Sequence, residues 1–253
     1  MVISGCTVRN YTNRFVYVSL SGKIESLTID DCIFIGADNS TTNKAIYASS
    51  AHTQVETLSV TNSTFLNFNT GSNYFFRINC GEELVLMPVV LIDHCTFYNC
   101  YDRRGVYLYN AGRSTIKNCI SAFSERRDDT KSFTAYGDES IVKNVISYNV
   151  DLYGSAPKEN IISKNPLFVD AENGNFQLYK DSPAVGAGDD GSDLGDPRWG
   201  VSTENAPVGE LPYECFKKPY SMSPTTHSVR ILWQTLDANP SGTVYYGLSL
   251  IHI

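Results

Sequence analysis

Residues Val90–Cys100, VLIDHCTFYNC, carry a phrase that the chain writes repeatedly. Its core is Ile92-Asp93-His94-Cys95-Thr96-Phe97-Tyr98-Asn99. The same frame fits Ile3-Ser4-Gly5-Cys6-Thr7-Val8-Arg9-Asn10, Ile29-Asp30-Asp31-Cys32-Ile33-Phe34-Ile35-Gly36 and Val60-Thr61-Asn62-Ser63-Thr64-Phe65-Leu66-Asn67. Ile116-Lys117-Asn118-Cys119-Ile120-Ser121 and Val142-Lys143-Asn144-Val145-Ile146-Ser147 are worn copies. The anchors, at 3, 29, 60, 92, 116 and 142, lie 26, 31, 32, 24 and 26 residues apart. A second phrase alternates with the first: Phe15-Val16-Tyr17-Val18, Ala45-Ile46-Tyr47-Ala48, Phe75-Phe76-Arg77-Ile78, Gly105-Val106-Tyr107-Leu108 and Ser132-Phe133-Thr134-Ala135. Its third residues fall at 17, 47, 77 and 107, a constant step of 30, with 27 more to Thr134. Self-similarity at this period marks a solenoid, in which each repeat buries its apolar side only against its neighbours.

The units are short, alternate apolar with polar, and use Val, Ile, Phe, Tyr and Thr, which is strand chemistry. No segment keeps a helical apolar period, and the leucine frame of leucine-rich repeats is missing. The expected fold is all-β: a right-handed parallel β-helix (solenoid) over residues 1–150, with a β-rich C-terminal cap and a truncated β-sandwich module behind it. Copies then stack about 4.8 Å apart, like residue on like residue. Cys6, Cys32, Ser63, Cys95, Cys119 and Val145 form one inward column, and Val8, Phe34, Phe65 and Phe97 another. Asn10, Asn67, Asn99 and Asn149 mark the following turn, where Asn tolerates unusual backbone angles and can bond to its stacked neighbours. With these columns and its Asn ladder, the repeat region resembles pectate-lyase-like β-helices.

Composition sets bounds on the function. A hydrophobic share of 42% fits a folded protein, and a net charge of −7 argues against nucleic-acid binding as the main task. Four of the seven cysteines fall on the inward column, where Cys acts as a small buried hydrophobe; Cys80, Cys100 and Cys215 are left over. No cysteine spacing resembles a zinc site. No apolar run is long enough to span a membrane. Val2–Val8 is already repeat, so the natural start is expected upstream, and the missing signal peptide carries no weight.

Residues 151–200 change character: Asn165-Pro166-Leu167-Phe168, Asn173-Gly174-Asn175-Phe176-Gln177-Leu178, Ser182-Pro183-Ala184-Val185-Gly186-Ala187-Gly188 and Gly195-Asp196-Pro197-Arg198-Trp199. Asn-Gly between apolar runs signals a hairpin. The stretch resembles the closing segment of bacterial β-helical proteins of polysaccharide-degrading systems, and is expected to cap a solenoid end. Its acidic run Asp189–Asp196 offers oxygen ligands, without EF-hand spacing, so calcium is the one cofactor that the sequence suggests. Residues 201–213 read as a linker. In 214–253, Lys218-Pro219-Tyr220, Ser228–Thr235 and Gly242–Gly247 resemble the opening strands of a fibronectin type III-like module. A full sandwich takes about 100 residues, so the natural chain is expected to run on past this module, with Leu248–Ile253 foreign to it.

Familiar catalytic motifs are absent. His52, His94, His227 and His252 are scattered, and His94, beside a core cysteine, reads as structural. The candidate site is the outer side of the second phrase. Alternation turns Val16, Ile46, Phe76 and Val106 inward and Tyr17, Tyr47, Arg77, Tyr107 and Thr134 outward. Ser19, Ser49, Asn79, Tyr109 and Tyr136 follow two residues later. Arg14, Lys44, Arg104 and Lys131 precede the strands, with Tyr74 in their register, and the charged loops around Arg103 and Glu125–Asp129 border the face. Rings can stack on the apolar side of a pyranose while Arg pairs with a uronate carboxylate.

The resemblance implies an exported bacterial protein (extracellular, cell-surface or periplasmic), monomeric, with an acidic polysaccharide as partner. It also implies a choice between β-elimination by a lyase and glycan binding or adhesion without catalysis. For a lyase, Arg77 or Arg104 would clamp the carboxylate and Lys131 or Tyr107 would act as base, with Tyr17, Tyr47, Lys44, Tyr109 and Arg103 binding substrate. A glycoside hydrolase would need converging carboxylates; Asp30 and Asp93 share a register, but Thr61 lies between them.

Overall fold

In each first phrase the chain must turn between two strands within two residues, and the sequence supplies Gly, Asp, Asn or His at that point. The computed structural model describes residues 1–9, 11, 13–18, 23–36, 44–50, 54–69, 74–80, 88–109, 111–207, 215–222 and 230–235. The first coil gives β1 (Val2–Ser4), β2 (Thr7–Val8) and β3 (Arg14–Val18); the second β4 (Lys23–Asp30), β5 (Ile33–Ile35) and β6 (Lys44–Ser50). The third gives β7 (Gln54–Thr61), β8 (Thr64–Leu66) and β9 (Phe76–Cys80); the fourth β10 (Val89–Asp93), β11 (Thr96–Tyr98) and β12 (Val106–Tyr109). In β13 (Arg113–Ala122) and β15 (Ile141–Tyr148) the strand runs on through the bend; β14 (Lys131–Ala135) and β16 (Asp151–Tyr153) follow them, and β17 (Lys158–Ile162) pairs with β15.

Every pairing among these strands is parallel, so the protein is a parallel β-solenoid. The paired strands continue to Ile162, past the residue 150 boundary that the repeats suggested, because Lys158-Glu159-Asn160-Ile161 is one more degenerate copy. The register is the expected one: Ile29 faces Val60, Val60 faces Ile92, and Ile92 faces Ile116. Phe34, Phe65 and Phe97 stack nearly parallel, with ring centres 4.8 and 5.0 Å apart. Phe133 meets Phe97 edge-on at 5.1 Å and so joins the two sheets through the core.

The bend forms a left-handed column: Gly5, Asp31, Asn62, His94, Asn118, Asn144 and Asn160 all have φ between 48° and 63°. Asn, Asp and His are the side chains most often found there. The next residue points inward, and its thiol or hydroxyl donates to the carbonyl two residues back: Cys32 to Asp30 at 3.2 Å, Ser63 to Thr61 at 2.7 Å, Cys95 to Asp93 at 3.3 Å and Cys119 to Lys117 at 2.9 Å. The cysteine column thus supplies donors for bend carbonyls as well as apolar volume. Asn67, Asn99 and Asn149 form a second left-handed column at the expected turn, while Asn10 lies outside the described residues. These Asn bond to neighbouring backbone (Ser124 N donates to Asn99 at 2.8 Å, Asn149 donates to Phe123 O at 3.0 Å). The side-chain bond between stacked Asn occurs in the other column, from Asn160 to Asn144 at 2.9 Å.

The segment expected to cap an end lies instead along the solenoid's flank. After β17 the chain forms a hairpin of β18 (Phe168–Asp170) and β19 (Asn175–Leu178). Phe176, Leu178, Ala184 and Leu194 then bury Tyr98, Ile120, Ala122 and Ile146, the outward side chains of β11, β13 and β15. Those positions are apolar in the later coils, so the flank itself needs a cover. Polar anchors fix its path: Asp196 accepts from Thr64 at 2.7 Å, its N–H donates to Thr96 at 2.9 Å, and Arg198 pairs with Asp31 at 2.6 Å. Gly195 (φ 90°) passes so close that a Cβ there would meet Thr96 Oγ1 at 2.7 Å. At the other end Asp189 accepts from Asn118 at 2.9 Å and pairs with Lys143 at 3.0 Å and Lys117 at 3.2 Å.

Residues Pro207–Ile253 form a separate unit, in which β20 (Cys215–Met222) and β21 (Arg230–Thr235) pair antiparallel. The expected Gly242–Gly247 strand lies outside the described residues. No helix among the described residues is long and apolar enough to cross a membrane.

Two measurements test this account. Phe65→Ala removes the middle ring of the stack and should cost about 3–5 kcal/mol in urea unfolding. Asn118, then Lys143 and Lys117, hold the Asp189 carboxyl well below the usual range. A carboxyl whose folded pKa is depressed stabilises the fold fully above its unfolded value, about 3.9, and loses that contribution as pH falls through the folded value. Asp189→Asn should therefore flatten the fall in unfolding midpoint below about pH 4.

Candidate functional site

Register alone brings the expected site residues together. Tyr17 pairs with Tyr47, Tyr47 with Arg77, Arg77 with Tyr107, and Tyr107 with Thr134 on β3, β6, β9, β12 and β14. Inward partners Val16, Ile46, Phe76 and Val106 are buried. Within this column, cations and rings interleave. The Arg14 guanidinium lies 4.5 Å from the Tyr17 ring centre and 4.6 Å from that of Tyr47. Arg77 lies 4.6 Å from Tyr74, 5.8 Å from Tyr47 and 5.9 Å from Tyr107. Arg104 lies 4.8 Å from Tyr107. Tyr74 stacks on Tyr107 at 5.8 Å, and Arg77 donates to the Tyr74 hydroxyl.

The third coil exchanges the two roles. Coils one, two and four place a cation (Arg14, Lys44, Arg104) three residues ahead of a tyrosine (Tyr17, Tyr47, Tyr107); coil three places Tyr74 three residues ahead of Arg77. Five successive cations one strand spacing apart would repel, so the exchange puts a ring between Lys44 and Arg104 and gives Arg77 tyrosines on three sides. A cation over a ring contributes about 0.5–2 kcal/mol, more where water is excluded. Among the described residues, Arg14, Arg77 and Arg104 enter no ion pair, and the Nε atoms of Arg14 and Arg77 are buried with no hydrogen-bond partner.

The face is uneven. Tyr17 is 52% exposed and Tyr109 stands open at the far edge, whereas Tyr107 is only 7% exposed and Thr134 is fully buried. Both point outward as alternation requires; Tyr107 is covered by Tyr74, Tyr109 and Arg104, and Thr134 bonds to the Arg104 carbonyl at 3.1 Å. Lys44 is 7% exposed and donates to the Tyr74 carbonyl at 3.0 Å. Burial pushes its ammonium pKa down, Asp102 works against that, and Arg14 and Arg77 add to it.

Lys131 stands apart, paired with Asp151 at 3.2 Å, and Asp151 also holds Arg126 at 3.0 Å. Arg127 pairs with Glu125 at 2.7 Å and caps Tyr101, so the 124–130 loop neutralises itself. Arg103 is exposed in its loop. Serines 19 and 49 and Asn79 lie outside the described side chains. The acidic run suggested for calcium is engaged by protein donors: Asp189 by Lys117 and Lys143, Asp190 by Ser192, Asp193 by the Gly186 N–H, and Asp196 by Thr64 and Arg198. No cluster of three His, Cys, Asp or Glu able to hold a metal occurs among the described residues. Tyr74 gained in importance from the structure; the sequence signal was its place in the cation register.

A family model described as a domain of unknown function, DUF5123, matches residues 90–199, less than half of the chain. No curated protein gives a significant match. The matched stretch holds Arg103, Arg104, Tyr107, Tyr109 and Lys131 of the candidate site and leaves Tyr17, Lys44, Tyr47 and Arg77 outside it.

If rings hold the guanidinium, Arg77→Met and Tyr74→Leu will not be additive. A double-mutant cycle on unfolding free energy should give a coupling of about 1 kcal/mol.

Proposed function

We propose that the face built by β3, β6, β9 and β12 binds an acidic, uronate-bearing polysaccharide, in an extracellular or cell-surface setting, and does so without cleaving it. The observation that carries this reading is the set of guanidinium groups, Arg14, Arg77 and Arg104, held against tyrosine rings with no carboxylate partner among the described residues. Rings fix the height and plane of each guanidinium, leaving the Nη atoms that no tyrosine hydroxyl engages to pair with a sugar carboxylate. The exposed rings of Tyr17 and Tyr109 offer flat apolar surface for a pyranose.

The side chains nominated as base argue for binding over elimination. Tyr107 is under its neighbours, and Lys131 is committed to Asp151. One observation favours the lyase reading: Lys44, whose pKa burial lowers, sits among Arg14, Tyr47 and Arg77.

Affinity electrophoresis of the intact chain through polygalacturonate, alginate and a neutral glucan decides the matter. Retardation should occur only in the acidic gels, weaken with added salt, and fall at least about tenfold in apparent affinity for Arg77→Ala, since a charge-assisted pair contributes about 1.5–3 kcal/mol. Unsaturated uronate appearing by ultraviolet absorbance, and lost in Lys44→Met, would replace binding with β-elimination. No retardation in any gel would remove the polysaccharide reading.

A further inference from the structure

A second constellation lies away from the tyrosine–arginine face, between the solenoid flank and its cover. A cavity of about 390 Å³ opens there, walled by Ile120, Phe168, Phe176, Leu178, Leu194 and Trp199. That volume is within the range of small-molecule sites. His94 and Ser192 also line it. His94 Nδ1 lies 2.8 Å from Asp93 Oδ1, and His94 Nε2 lies 2.7 Å from Ser192 Oγ. Asp93 is itself fixed, accepting from Asn118 at 3.0 Å and facing Lys117 at 3.4 Å. From these distances we propose that Asp93, His94 and Ser192 form an acyl-transfer site that hydrolyses small carboxylic esters with an apolar acyl group.

The structural alternative is that His94 merely shapes the bend and pins the cover. The bend does not require a histidine: Asn fills the same position at 62, 118 and 144, and Asp at 31, with similar φ. Pinning does not require both ring nitrogens either. What His94 adds is an imidazole oriented by a carboxylate on one side and set against a hydroxyl on the other, at the mouth of an apolar cavity; this is the arrangement that activates a weak nucleophile. The Ser192 hydroxyl has one hydrogen and two acceptors in reach, His94 and Asp190. The reaction needs the state in which the imidazole presents Nδ1–H to Asp93 and the Ser192 hydroxyl turns its hydrogen from Asp190 to Nε2, with Asp190 keeping the Ser192 backbone N–H at 3.0 Å.

The chemistry balances within these groups and water. Ser192 Oγ bonds to the acyl carbon as its proton passes to His94 Nε2 and the carbonyl π pair moves to oxygen. When that pair returns, the ester C–O bond breaks and the departing alkoxide takes the proton from His94. Water then repeats the sequence on the acyl-serine, releasing the acid and restoring the hydroxyl. Asp93 stays ionised and positions the ring. The Asp193 N–H, next after the nucleophile, donates to no group among the described residues and would be the donor to the oxyanion.

The test uses the full chain, an alkyl fluorophosphonate and p-nitrophenyl butyrate. Mass spectrometry should place one phosphonyl adduct on Ser192, absent in Ser192→Ala. His94→Asn keeps a residue that this bend already uses elsewhere, so its unfolding midpoint should hold while labelling and hydrolysis fall at least about a hundredfold. Asp93→Asn should lower kcat and leave KM unchanged, as expected of a positioning residue. An unlabelled Ser192 in the wild-type protein, or labelling and turnover unchanged in His94→Asn, would overturn the proposal. Retention of the variants in acidic-polysaccharide gels reports separately on the other face.

Discussion

Equivalent side chains in this protein sit one strand spacing apart, about 4.8 Å, coil after coil. That spacing is close to the preferred separation of stacked rings, which is why Phe34, Phe65 and Phe97 can pile up nearly parallel in the core. It is also short enough to make a column of like charges costly. Outside the core the same geometry therefore forces a solution for every cation. On the outer face the solution is tyrosine: each of Arg14, Lys44, Arg77 and Arg104 lies against a ring, and the change of place between Tyr74 and Arg77 puts a ring between Lys44 and Arg104. On the flank the solution is the cover, whose Asp189 stands between Lys117 and Lys143.

The bend imposes a second requirement. A left-handed residue must recur at one position in each coil, and the side chains that tolerate it are short and polar. The solenoid thus carries a ridge of Asp, Asn and His along its length, whether or not any ligand uses it. The cover runs along this ridge, with Arg198 at Asp31, Ser192 at His94 and Asp189 at Asn118. Most of these contacts are anchors. At His94 alone among the bend residues an imidazole occupies the ridge, and the anchor and a reactive geometry coincide.

The repeats made the register legible, because a constant step of 30 places Tyr17, Tyr47, Arg77 and Tyr107 on one another without any need for coordinates. What they could not convey was depth. Alternation says that Tyr107 and Thr134 point outward, yet long neighbours fold over them; exposure depends on side-chain reach, which a period does not encode. The path of residues 163–206 was hidden for a different reason. The outward residues of β11, β13 and β15 are apolar, which signals a partner on the flank, but the motif-rich segment suggested a lid for an exposed end. Once the segment is laid along the flank, Ser192 arrives beside a histidine 98 positions earlier in the chain, a meeting that no local pattern announces.

The fourth coil contributes to both surfaces. His94 stands at its bend, Arg104 and Tyr107 lie on its β12 side, and Phe97 fills the space between. In a solenoid each coil contacts only its neighbours, so a change at one edge reaches the rest of the molecule through these few core rings. Phe97 touches Phe65 below and Phe133 across the core, and is therefore the shared support of two chemically unrelated surfaces. The stretch matched by the family model begins at this coil and ends at Trp199. It thus contains the whole Asp93–His94–Ser192 constellation and the apolar wall of its cavity, but only part of the tyrosine–arginine face. The two surfaces are therefore separable along the chain as well as in space: the flank cavity draws its apolar wall from the later coils and the cover that lies on them, whereas the ladder of rings needs the coils before.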